Sequence, residues 1–168
     1  MEQVTLNYPE PISIERISYL INEKRIDPTI AGIDLEMIKM KLREPEEGEN
    51  WTHEQCDSAE IEYKRYLQLC LEFGKGIVPN RIQDKFWHFH ILDTRAYHKD
   101  CQTIFGHYLH HFPYFGMKDE QDAIDLKNAF LRTKELYLQT FGEDISRESQ
   151  EMKCWHDCQN RCHNACKS

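Results

Sequence analysis

Glycine and proline are scarce in this chain, at seven and six of 168 residues. That leaves no room for a low-complexity linker, and no internal repeat marks a solenoid. Long apolar runs are missing too. None approaches the roughly 20 residues that span a bilayer, and residues 1–6 (MEQVTL) lack the basic and apolar regions of a signal peptide. Positive charge is short: 21 Lys and Arg face 29 Asp and Glu, for a net charge of −8. Lys24-Arg25 and the basic residues between 39 and 43 are isolated and mixed with apolar side chains. A nucleic-acid backbone binder needs concentrated cations, so that class is excluded. These absences predict a cytoplasmic protein with neither a membrane nor a nucleic acid as partner.

What is present suits an ordinary globular domain, with 40% hydrophobic and 30% charged residues. The length is enough for one real core. Phe-Gly pairs at 73–74, 105–106, 115–116 and 141–142 each end an apolar or aromatic stretch. A glycine just past a helix can close it in the left-handed conformation, so the pattern predicts a mainly α fold with several chain reversals. Ser13 with Ile14, Ile17 and Leu20 reads as a first short helix, and Asp27-Pro28 as a boundary. Leu35, Ile38 and Leu42 repeat at helical spacing before an acidic loop. Thr52 and Gln55 form a capping box, followed by a stripe of Tyr63, Tyr66, Leu67, Cys70 and Phe73. Residues 75–82 read as a connector with room for a brief extended segment. Asp93-Thr94 offers another cap, and Asp119 a third, ahead of a long helix with Ala123, Leu126, Phe130 and Tyr137 on one face. The expected fold is all-α, a single compact domain of about five or six helices with a His- and aromatic-rich loop. It divides into a helical His-rich domain over residues 1–145 and a Cys-rich helix or tail over residues 146–168.

Six of the nine histidines crowd between residues 88 and 111. Imidazole and carboxylate are the usual ligands of zinc, iron and manganese. If residues 83–92 are helical, Asp84 and His88 share a face one turn apart, and His90 points toward Asp93 and Tyr97. If they are extended, His88 and His90 pair instead. Helix formers and the cap favour the helix. Asp84 and His88 with either His110 or His111 would then make a facial triad with open positions, suited to non-heme iron or catalytic zinc. His90 and Tyr97 would serve as supporting or proton-transfer groups. Trp87, Phe89, Phe105, Phe112, Tyr114 and Phe115 read as core or cover, and His98 as surface.

A second feature stands apart. Cys154, Cys158, Cys162 and Cys166 recur every four residues with His156 and His163 between them. On a helix these thiols stack, and pairs one turn apart suit Cu(I) or Zn(II). Disulfides, a tail of reactive thiols and a thiol substrate for the His-rich site are the other readings. Cys56 and Cys70 read as packing residues.

The run Asp84-x-x-Trp87-His88-x-His90, with Tyr97-x-x-Asp100-Cys101, Phe105-Gly106 and Leu109-His110-His111-Phe-Pro-Tyr-Phe-Gly, resembles the glycine-rich domain-containing protein-like family. The resemblance is to its small stand-alone bacterial members and covers about residues 55–142. It implies that Asp84, Trp87, His88, His90, Tyr97, Cys101 and His110 define the domain, and it implies no particular reaction. Roles tied to the glycine-rich region of larger members do not transfer, because that region is missing here.

The functional expectation is a metal-dependent enzyme, oxidative or hydrolytic, acting on a small-molecule or peptide substrate. The competing class is a non-catalytic metal-handling or protein-interaction module that uses the Cys-x3-Cys tail.

Overall fold

Each helix begins where a side chain can take up otherwise orphaned amide hydrogens. In the computed structural model, which describes residues 7–145, Ser13 caps α1 (Ile14–Asn22) by accepting from Arg16 N at 3.1 Å. Asp27 caps the short α2 (Pro28–Ala31), with Pro28 in the opening turn. After α3 (Glu36–Arg43) comes α4 (His53–Phe73), opened by the Thr52–Gln55 capping box that the sequence predicts. Asn80 and Gln83 form a second box at the start of α5 (Arg81–Leu92). Asp93 ends α5 and caps α6 (Thr94–Phe105), and Asp119 caps α7 (Glu120–Phe141). Gly106 and Gly142 close α6 and α7 in the left-handed conformation. The described residues are all-helical, with seven helices and no strand. The sequence predicts five or six, because the four-residue α2 has too few turns to show a period.

The long helix α4 is the axis of the fold. α5 packs most extensively against it, with α3, α2 and α7 on other sides. Every residue from 62 to 70 is buried, so α4 is covered all round rather than along one stripe. Its apolar positions, among them Cys56, Ala59, Tyr63, Tyr66, Leu67 and Cys70, join Leu20, Ile30, Leu35, Leu42, Phe86, Trp87, Tyr97 and Cys101 in the main core. Phe73, at the end of the expected stripe, is exposed.

The charged residues of α4 are buried with it. Glu60 accepts from Lys64 at 2.8 Å, from Arg16 at 2.9 Å and from Lys39 at 3.3 Å. Lys64 completes its valence on the carbonyls of Ala31 and Ile33, both at 3.0 Å. Glu62 accepts from Tyr137 Oη at 2.5 Å, and Arg65 donates to Glu143 at 2.7 Å. These bonds tie α1, α2, α3 and α7 to one helix.

α7 docks by its second half only. Thr133, Tyr137 and Phe141 are its buried residues, and Tyr137 and Phe141 form a small cluster with Leu69 and Ile145. The expected apolar face is therefore corrected: Tyr137 is buried, Leu126 and Phe130 are half-buried, and Ala123 is exposed. No helix among the described residues is long and apolar enough to cross a membrane.

Candidate metal centre

α5 delivers the site. The Asn80 side chain accepts from Ile82 N at 3.0 Å and from Gln83 N at 2.8 Å, which anchors the first turn, to which Asp84 belongs. Asp84 and His88 follow one turn apart, with His88 Nε2 3.6 Å from Asp84 Oδ2. The helical alternative for residues 83–92 is thus the one adopted. Phe86 and Trp87 face the core. The third group comes from the non-helical segment between α6 and α7. His111 Nε2 lies 2.8 Å from Asp84 Oδ1 and 3.0 Å from His88 Nε2. Asp84, His88 and His111 form the one group of this kind among the described residues whose donor atoms converge as metal ligands would.

The distances have a chemical meaning. With bonds of about 2.0–2.1 Å to nitrogen and oxygen, neighbouring ligands of an octahedral ion lie about 3.0 Å apart and those of a tetrahedral ion about 3.3 Å. The observed separations of 2.8, 3.0 and 3.6 Å, the first and last to different oxygens of Asp84, span both values. Hydrogen bonding alone fits less well. A ring nitrogen carries either a hydrogen or a lone pair, yet His111 Nε2 faces both a carboxylate and a second ring nitrogen. A hydrogen on it can at best be shared between Asp84 and His88 in a three-centre bond. With no hydrogen on either Nε2, two ring lone pairs and a carboxylate crowd together. A cation among them would satisfy all three groups.

The side chains of His88, Asp84 and His111 are 47%, 38% and 16% exposed, respectively. His111 is the sheltered member because its ring lies on Trp87, with centroids 4.5 Å apart. The His88 ring is 4.6 Å from that of His111. The arrangement has a buried floor of Trp87 and an open side toward solvent.

His90 and Tyr97 do not join this group. His90 is 1% exposed and sits on the opposite face of α5. Its Nε2 is 3.0 Å from Asp100 Oδ2, and its Nδ1 is 2.9 Å from Tyr63 Oη. An ionised carboxylate only accepts, so the ring donates to Asp100 and accepts from Tyr63. Tyr97 Oη accepts from Trp87 Nε1 at 2.9 Å and donates to the Leu109 carbonyl. Burial pushes the phenols of Tyr63 and Tyr97 well above their ordinary range. Both tyrosines are therefore neutral hydrogen-bonding groups, held in the core. Tyr63 and Asp100 are partners that the sequence reading did not assign. The only signal was their residue type, because a pairing between α4, α5 and α6 leaves no spacing to find.

Of the two alternative loop histidines, His111 is the one placed beside Asp84. His110 is exposed next to Tyr108, with ring centroids 5.4 Å apart. His98 is exposed, as expected. Phe112 and Tyr114 are also exposed, whereas Trp87 is core. Cys56, Cys70 and Cys101 are buried free thiols, and burial pushes Cys70 up to about 12. Cys154, Cys158, Cys162 and Cys166 lie outside the described residues.

Fold and site together define a protein whose described residues are all-helical, with a two-histidine, one-carboxylate cluster at their surface. Residues 35–148 match the UCP032817-like family, an uncharacterised one, and the chain belongs to it. That span runs from the loop before α3 past the end of α7 and includes all three residues of the cluster. It overturns the resemblance to the glycine-rich domain-containing proteins: nothing in the match points to that family. No curated protein and no solved structure matches the chain.

Proposed function

We propose that the protein binds a divalent transition metal, iron or zinc, through Asp84, His88 and His111, and uses it as a metal-dependent enzyme on a small-molecule or peptide substrate. One observation carries the reading: the Asp84 carboxylate and the His88 and His111 Nε2 atoms, brought together from α5 and the segment between α6 and α7, lie within 3.6 Å of one another. Three protein ligands on an open face leave positions for water and substrate, as catalytic rather than structural sites do. When bound, the ion would act as a Lewis acid or a redox centre. The protein's part is to hold it at the surface with Trp87 beneath. The same exposure favours a second reading, in which the protein carries the ion and hands it on.

Two measurements test this. Full-length protein purified anaerobically, with Cys154, Cys158, Cys162 and Cys166 replaced by serine, should hold about one equivalent of metal. That metal should be lost in His88→Ala or His111→Ala while helicity is retained. Metal-free protein that also fails to take up Zn(II) or Co(II) would sink the site. For the open coordination, the visible spectrum of the Co(II)-loaded protein should change on adding azide. A spectrum indifferent to azide would reject the enzyme reading.

A further inference from the structure

Two of the three ligands are fixed by one helix, but His111 lies in a segment with no regular structure of its own. Something must place it. The chain reaches the site through Leu109, whose carbonyl accepts from Tyr97 Oη. An indole nitrogen only donates, so the Trp87 Nε1–H bond to Tyr97 Oη at 2.9 Å leaves the phenolic hydrogen no better direction than the Leu109 carbonyl. Tyr97 is 1% exposed and Trp87 4%, which locks both side chains. The same Trp87 ring supports His111 from below at 4.5 Å. α5 and α6 therefore grip the loop twice within three residues, once by its backbone and once by the ligand ring.

We infer that Tyr97 is a positioning residue that sets His111 at the Asp84–His88 pair through its bond to the Leu109 carbonyl. This rests on the metal reading above. Residues that orient a ligand from outside the coordination sphere typically alter metal affinity by about 10–100-fold when removed. Tyr97→Phe deletes the hydroxyl and keeps the ring. Trp87→Phe deletes the indole donor but leaves the Tyr97–Leu109 bond and an aromatic floor, so its effect is the smaller.

The test is a competition titration with Zn(II) on the full chain carrying serine at the four tail cysteines, alongside thermal melts of the metal-free proteins. Tyr97→Phe should weaken Zn(II) binding by about 10–100-fold, and Trp87→Phe by less. Zn(II) affinity within twofold of the parent, with only a lowered melting temperature, would make Tyr97 a core residue and overturn the inference. A second readout separates this from the metal reading. In the metal-free parent, NMR should show cross-relaxation between the Trp87 indole and the His111 ring, lost in Tyr97→Phe. A parent without Zn(II) affinity defeats the metal reading. Cross-relaxation that persists in Tyr97→Phe defeats the positioning role by itself.

Discussion

Glu60 is the side chain on which the interior charge balance turns. It is fully buried and shared by Arg16, Lys39 and Lys64. Burial alone would raise its carboxyl, but Lys64 and Lys39 hold it down to about 2 against an ordinary 4.5. The folded-state value is depressed, so the stabilisation is fully present above pH 4.5 and is lost as pH falls from 4.5 toward 2. A depression of that size corresponds to about 3 kcal/mol. Glu60→Gln strands three cations without their common partner. It should cost about 3–5 kcal/mol in urea unfolding at neutral pH and flatten the acid limb of the stability profile. A variant as stable as the parent would contradict the buried-pair account. His88 and His111 differ from Glu60 in kind: they lie nearer the surface and share a partly exposed carboxylate, Asp84.

Among the elements, α5 and the α6–α7 connection matter most to the site. Asn80 is 4% exposed and satisfies two amides of the first α5 turn. Asn80→Ala should destabilise the fold by about 1–2 kcal/mol and loosen metal binding, because Asp84 sits in that turn. Unchanged chemical denaturation would show that the cap is dispensable. The far end of the connection depends on Gly116, at φ +86°, where an added Cβ would lie 2.5 Å from Leu126 Cδ2. Its amide also donates to Asp122 at 2.7 Å, pinning the loop to α7. Gly116→Ala combines a left-handed backbone with a collision and should cost about 2–3 kcal/mol. Equal urea midpoints for variant and parent would refute the clash. The Phe115-Gly116 pair was readable as a stop signal. That its glycine abuts Leu126 was not, since ten residues and a turn separate them.

For the molecule as a whole, the metal should act as a staple. It would join α5 to the segment between α6 and α7, so binding stabilises the folded state by mass action. At a free concentration of 100 times Kd this amounts to about 2.7 kcal/mol, or a rise in Tm of about 5–10 °C for a chain of this size. The rise should be absent in His111→Ala. Zn(II) that leaves the Tm of the parent unchanged would place any bound ion off this junction.

Most of the helices, several of their caps and the Asp84–His88 pair were legible in the residue string, because each rests on neighbours within one or two turns. Ser13, Thr52, Asp93 and Asp119 announce helix starts by the bonds their side chains make locally. Packing decided the rest. Which loop histidine faces Asp84, where His90 finds Asp100 and Tyr63, and why α4 hides Glu60, Glu62, Lys64 and Arg65 are outcomes of how helices cross. Apart from the one-turn Glu60–Lys64 pair, those contacts join residues ten to 78 positions apart. The spacing along the chain carries no trace of them, since a helical period reports which face a residue occupies and not what that face meets.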